Sequence, residues 1–291
     1  MSTVAPAMEL RGSSNHRIMP APPFSGNYLA HRFDSNTATS HVRLKENSPR
    51  SITREVLGEF IALISGDTCR IPVVSKSVIL ESAIPKTFSL GGDLEFFLEC
   101  IKKNARRDLI VYAFDAVKAI YVLSRGMYKS GMTSVALVQG ETQGGGFELA
   151  LANHLIIAER GVRFGFPESL FGAYPGMGAL TLLGKRIGLP HANEIVASAR
   201  QWTSEELFDL GVVDALAAPG NGGAIANRYL SSISEAERER LGARFEDLSI
   251  VELRRDVGEW VDRMLSIQPR NIRTIEYLLR AQQRSIHPTS D

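Results

Sequence analysis

Two glutamates twenty residues apart, Glu148 and Glu168, are the side chains of this chain with the clearest capacity for proton chemistry. Glu148 follows three consecutive glycines, Gly144 to Gly146, in the first turn of a run that reads as a helix. A carboxylate in that place offsets the positive end of the helix dipole, which by itself needs no catalytic role. Glu168 follows Pro167 in an apolar setting, with Phe164-Gly165-Phe166 before it and Leu170-Phe171 after it. Burial there would raise its pKa and suit it to general acid work, whereas a surface loop would leave it an ordinary carboxylate.

A second glycine loop stands upstream, in Phe88-Ser89-Leu90-Gly91-Gly92-Asp93-Leu94. Glycine lets backbone N–H groups approach a ligand without an intervening Cβ. A helix that starts just afterwards adds unsatisfied N–H groups and the positive end of its dipole. Together these stabilise an anion, either a phosphate or a developing oxyanion. Each loop alone reads as a tight turn. Two of them, each after a Val/Ile-rich segment, point to an oxyanion hole with one donor from each. The competing motifs are absent. There is no terminal Gly-Lys-Ser/Thr of a phosphate loop, and position 149 is Leu, which breaks the G-x-G-x-x-G spacing. No Ser occupies a G-x-S-x-G elbow, and the six histidines have no paired metal-ligand spacing, so no metal and no cofactor is expected.

The elements that must position these groups follow from periodicity. Residues 1–15 read as a poorly ordered leader. His16 to Met19 and Asn27 to Phe33 read as strands around a proline-rich turn. Arg50 to Gly66 reads as a helix with Ser51 as N-cap, and Ile71 to Leu80 as a buried strand. Asp93 opens a short helix, and Arg106 to Lys129 reads as one long helix closed by Gly131. Ser134 to Val138 is a buried strand, Ala179 to Ile187 a helix, and Thr203-Ser204-Glu205-Glu206 a capping box before a helix ending at Gly211. Val212 to Ala217 reads as a strand. The Pro219 to Gly223 turn reads as a linker, dividing a core at 16–223 from a helical segment at 224–291. In that segment Ile250, Leu253, Val257, Trp260, Val261 and Met264 share one face, and Ile272, Ile275, Leu278 and Leu279 another.

Bulk properties exclude several function classes. The 33 basic residues nearly balance the 32 acidic ones, so no overall field favours nucleic acid or an anionic membrane. The local basic spot at Lys102, Lys103, Arg106 and Arg107 reads as a solvated helix face. No apolar run reaches the roughly 18–20 residues of a membrane span. The two cysteines, Cys69 and Cys100, have no metal or disulfide-framework spacing, which makes a reducing cytoplasm the expected compartment.

Taken together, the two loops and two glutamates resemble the crotonase (enoyl-CoA hydratase/isomerase) superfamily over roughly residues 50–216. The resemblance implies an α/β fold of the ClpP/crotonase type, a superhelix of ββα units with a helical C-terminal segment that serves as lid or oligomerisation surface. It implies that the N–H groups of Gly92 and Gly145 hold a thioester oxygen and that Glu148 and Glu168 are the acid/base pair. A narrower resemblance is to the synthases of diffusible signal factor, a cis-2-enoic fatty acid of quorum sensing. It rests on residues 88–94, 144–148, 166–171, Tyr-Pro-Gly-Met-Gly-Ala at 174–179 and Leu-Leu-Arg-Ala-Gln-Gln-Arg at 278–284. His154-Leu155 also stands where ordinary hydratases more often carry a Cys-Asp pair. This implies dehydration of a 3-hydroxyacyl group on acyl carrier protein (or CoA), then hydrolysis to the free acid. It further implies a homotrimer or dimer of trimers, and regulatory contact with a signal sensor protein. Leu170, Phe171, Tyr174, Met177 and Leu180 are the expected lining of an acyl tunnel, by proximity to Glu168. The rival expectations are a hydratase or isomerase of fatty acid metabolism without thioesterase activity, and a non-catalytic binding protein of the same fold.

Overall fold

The computed structural model describes residues 24–65 and 69–284. The leader at 1–15, the strand expected at His16 to Met19 and the helix stop at Gly66 lie outside the described residues. Among the described residues the first elements are the antiparallel hairpin β1 (Leu29–Asp34) and β2 (Thr39–Leu44), followed by α1 (Arg54–Ile64). From there it repeats one unit: a strand in a large sheet, a strand in a small sheet, then helix.

The first unit is β3 (Ser77–Ser82), β4 (Thr87–Ser89) and the helices α2 (Leu94–Lys103) and α3 (Arg106–Tyr121). A π-helical turn, Val122–Gly126, and the short α4 (Met127–Lys129) close it. The second is β5 (Thr133–Val138), β6 (Glu141–Gln143) and α5 (Gly145–Leu151). The third is β7 (Leu155–Glu159), β8 (Arg163–Gly165), a 3-10 turn at Pro167–Phe171, α6 (Ala179–Ile187) and α7 (Leu189–Ala197). Next come β9 (Gln201–Thr203), α8 (Ser204–Asp209) and β10 (Ala215–Ala217). The helices α9 (Gly222–Ser232), α10 (Glu235–Ala243), α11 (Ile250–Leu265) and α12 (Pro269–Arg284) complete the described chain.

The large sheet runs β1-β2-β3-β5-β7-β10 and the small one β4-β6-β8-β9; only the β1/β2 and β8/β9 pairs are antiparallel. This is the α/β superhelix of ββα units. All six residues of β5 are buried, as a central parallel strand covered on both faces requires. One core lies over α1, α3, α5 and the small sheet. The other packs Ile79, Val135, Leu137, Leu155 and Ile157 against Ala226, Leu230 and Leu241 of α9 and α10.

Several local expectations shift, each for a visible reason. Helix α1 starts at Arg54 and is capped by Thr53, whose Oγ1 accepts from Val56 N at 3.3 Å, so Ser51 is not the cap. Residues 50–52 are instead held straight by the first glycine loop: Arg50 O accepts from Leu90 N (2.8 Å) and Ile52 N donates to Gly91 O (2.7 Å). The buried strand begins at Ser77 and not at Ile71, because Pro72 opens a turn closed by Ser75 N on Pro72 O. The long helix loses its α register after Tyr121. Its widened turn is stabilised from outside, since Ser134 Oγ of β5 donates to Leu123 O at 2.7 Å. The run after Gly146 stays helical only to Leu151, and β7 follows it.

The capping box at Thr203 and Glu206 forms as the spacing predicts. The two C-terminal apolar faces turn inward, with Leu253, Val257, Trp260, Val261, Met264 and Ile275 buried. The basic cluster stays on the surface, where Lys103 pairs with Glu99 and Arg106 with Asp262. Among the described residues no helix is long and apolar enough to cross a membrane.

Candidate active site

Both glycine loops lie at the C-terminal ends of small-sheet strands that are neighbours, β4 and β6. Their approach is possible only for glycine. Gly91 adopts φ +88°, and a Cβ there would stand 2.7 Å from Gln143 O and 2.9 Å from Gly145 N. Gly145 is the first residue of α5, so its N–H has no helical acceptor. Neither Gly145 N nor Gly92 N meets an acceptor among the described residues. A Cβ built on Gly145 would be 3.5 Å from Gly92 N, which puts the two donors side by side. The Gly91–Gly92 loop is braced behind by the bonds to residues 50–52 and by Tyr112, whose hydroxyl donates to Ile52 O at 2.7 Å.

The two carboxylates face the same space. Glu148 is buried on the first turn of α5, and its Oε1 accepts from Met177 N (2.7 Å) and Ala179 N (3.0 Å). Burial pushes its pKa up to about 7, against the lowering effect of those two N–H bonds. Glu168 sits in the 3-10 turn that Pro167 starts. As a residue it is half-buried, but its Oε2 is shut off from solvent and has no hydrogen-bond partner among the described residues. Burial first, and the nearby Glu148 charge second, raise its pKa to about 8. Gly144, at φ +49°, makes room for it, since a Cβ there would lie 2.4 Å from Glu168 Oε1. Two like groups whose ionisations oppose each other titrate as a pair, and near neutral pH the pair holds about one proton.

A cavity of about 390 Å³ joins these groups, lined by Gly92, Gly145, Glu148 and Glu168. Of the residues expected along an acyl tunnel, Leu170, Phe171 and Met177 line it, whereas Tyr174 and Leu180 do not. Tyr174 is partly buried beside α11, where desolvation and then Glu259 and Asp256 raise its hydroxyl to about 12; Leu180 is 40% exposed. The chain leaves the cavity at Tyr174, after the turn at Gly172, returns to it at Gly176 and Met177, and leaves again as α6 starts.

The apolar wall comes from remote elements that sequence proximity does not reveal. Phe97 of α2 meets Tyr112 of α3 and Trp260 of α11 edge-on, at 5.2 and 5.4 Å between ring centres. Met264 and Leu278 extend that wall, and Gln282 of α12 donates to Leu90 O at 3.4 Å. The amphipathic faces of α11 and α12 were the available signal. Glu141, Gln143 and Gln201, from the small sheet, give the cavity a polar part of its lining, and nothing in their spacing singles them out. His154 lies outside the cavity in the core, accepting from Ser134 N at 2.8 Å and packed on Phe245.

Comparison with known proteins bears on the family and the fold. Residues 38–221, well over half of the chain, match the family model for enoyl-CoA hydratase/isomerase. A glyoxysomal fatty acid beta-oxidation multifunctional protein of Brassica napus is 30% identical over 163 residues, covering 56% of this chain and 22% of that protein. The alpha subunit of the fatty acid oxidation complex of Pseudomonas syringae pv. tomato is 29% identical over 186 residues, covering 64% and 25%. The chain thus spans about a fifth to a quarter of the length of these relatives. Among solved structures, an enoyl-CoA hydratase/isomerase from Xanthobacter autotrophicus superposes with a TM-score of 0.67 at 22% identity, covering 90% of this chain and 96% of its own. Pseudomonas aeruginosa DspI superposes at 0.59 and 21% identity, covering 90% and 95%.

Proposed function

The chain belongs to the enoyl-CoA hydratase/isomerase family, and within it we propose that it dehydrates a 3-hydroxyacyl thioester and then hydrolyses the 2-enoyl thioester to the free acid. One observation carries the first step. Two carboxylates with raised pKa values share a cavity with two adjacent, acceptor-free backbone N–H groups. With the thioester oxygen on Gly92 N and Gly145 N, charge that develops as the α-proton leaves falls on fixed donors that need no reorganisation. One carboxylate takes that proton while the other, still protonated, gives its own to the departing 3-hydroxyl. A pair holding one proton supplies one base and one acid at once. The apolar wall of Phe97, Trp260, Met264 and Leu278 accepts the acyl chain.

The hydrolytic step rests on the resemblance to diffusible signal factor synthases, supported by the cavity contacts of the motif at 278–284. The same polarised carbonyl, attacked by water that an ionised carboxylate has activated, yields the acid. The reading includes a carrier-protein-linked substrate and a trimer-based assembly, as that resemblance implies. Incubation of the purified protein with 3-hydroxydodecanoyl-acyl carrier protein tests it. Free 2-dodecenoic acid is the expected product, and accumulation of enoyl thioester alone would leave a hydratase without thioesterase activity.

The pH dependence of dehydration follows from the pair. Below about 7 both carboxyls are protonated and no base is present; above about 8 both are ionised and no acid is present. A plot of kcat/KM against pH is therefore expected to be bell-shaped, with its maximum between these values. A profile rising through pH 5 and flat to pH 9 would contradict the shared proton.

A further inference from the structure

We propose that Glu141, Gln143 and Gln201 form a water-delivery strip that serves the hydrolytic step, an inference that rests on the thioesterase part of the reading above. All three line the cavity that holds Glu168. Glu141 and Gln201 also line a second, polar groove on the surface, where Arg163 joins them. The strip therefore has one end at the carboxylates and the other in solvent, and it is built from the small sheet whereas the aromatic wall is built from helices.

Its construction follows from strand register. Glu141 and Gln143 are two residues apart on β6 and share a face. Gln143 pairs with Gly165 of β8, and Gly165 with Gln201 of β9, so the three positions lie abreast across the small sheet. Gly165 puts no side chain in the middle, where a Cβ would stand 3.0 Å from Arg200 O and 3.6 Å from Gln143 Oε1. Glu141 Oε1 accepts from Gln143 Nε2 at 2.9 Å and from Gln201 Nε2 at 3.4 Å, and Arg163 donates to Gln201 Oε1 at 3.1 Å. The chain of bonds is graded outward, with Glu141 and Gln143 half-buried and Gln201 and Arg163 exposed. At the inner end, the residue after Gln143 is Gly144, over which the Glu168 carboxylate lies.

An acyl chain against the aromatic wall and a carrier at the mouth leave this flank as the polar approach to the thioester carbon. Water held by the amides passes its proton to the ionised Glu168 as its oxygen bonds to that carbon, and the carbonyl pair moves onto the oxygen at Gly92 and Gly145. When the pair returns, the C–S bond breaks and the carrier thiolate takes the proton from Glu168. The products are the 2-enoic acid and the carrier thiol.

The strip residues are thus positioning residues, and removing them should change the product ratio more than the consumption of substrate. In Gln143→Leu and Glu141→Leu, the ratio of free 2-dodecenoic acid to 2-dodecenoyl thioester formed from 3-hydroxydodecanoyl-acyl carrier protein is expected to fall about tenfold, the worth of one or two hydrogen bonds. Glu141→Gln keeps an oxygen for the two amide donors and should restore the ratio. Gln201→Leu, at the exposed end, gives the same readout should either inner variant fail to fold. An unchanged ratio in the folded variants, or an equal loss of both products, would overturn the inference alone. Wild-type protein that releases no acid would overturn the thioesterase reading and the strip with it.

Discussion

Glu148→Gln and Glu168→Gln are each expected to lower kcat for dehydration of a 3-hydroxyacyl thioester by about 10²–10⁴, the usual worth of a positioned acid or base. The substitutions are close to isosteric, so the fold should stay. In Glu148→Gln the amide oxygen can still accept from Met177 N and Ala179 N, and the turn at Gly176 to Ala179 keeps its anchor. In Glu168→Gln a carboxyl that burial holds near pKa 8 becomes a neutral amide. Stability has a sign here too. A carboxyl with raised native pKa stabilises the fold below its unfolded value, near 4.5, and that contribution fades as pH climbs through about 8. Glu168→Gln should therefore melt higher than the wild type at pH 9 and no higher at pH 4. Paired kinetics and melting curves separate loss of chemistry from loss of structure. Turnover near the wild-type rate in either variant removes that residue from the mechanism.

Gly145→Ala keeps its N–H but sets a methyl beside the two donors, and by displacing the thioester oxygen it is expected to lower kcat by up to about 10²–10³, the range for a lost oxyanion donor. The added methyl would stand 2.3 Å from Met177 Cε, the tip of a flexible side chain that can give way, and 3.5 Å from Gly92 N. It crowds the space between the two donors without breaking the backbone. Gly91→Ala is the structural contrast. Its φ of +88° and contacts of 2.7 and 2.9 Å with backbone of the other loop leave no room, so the variant should lose stability as well as activity. A Gly145→Ala enzyme with normal kcat would mean that the thioester oxygen does not occupy the space beside these N–H groups.

How much of this was readable beforehand depends on range. Features set by neighbours a few residues apart were legible: the glycine loops, the Thr203 capping box, the Asp93 helix start and the inward faces of α11 and α12. The small sheet was not, because β4, β6, β8 and β9 have three residues each, too few for an alternating pattern to show. Strand β2, with His41 and Arg43 among its six residues, lacks the apolar run that marks a strand. Strand β7 hid in apolar sequence continuous with α5. For the site, burial of Glu168 could be argued from its apolar flanks, but the opposing charge of Glu148 requires the fold. Tyr174 and Trp260 illustrate the limit on the cavity wall. The residue six positions from Glu168 faces elsewhere, while one ninety-two positions away lines the space.

In the proposed reaction Glu148 and Glu168 move protons at carbon 2 and at the 3-hydroxyl of a bound acyl thioester. Running the reaction in the reverse direction in D₂O, with 2-dodecenoyl thioester as substrate, reads this directly by mass spectrometry. One deuterium is expected at carbon 2 of the 3-hydroxyacyl product with the wild type, and none above background with Glu148→Gln or Glu168→Gln. No incorporation by the wild type, or undiminished incorporation by both variants, would contradict it.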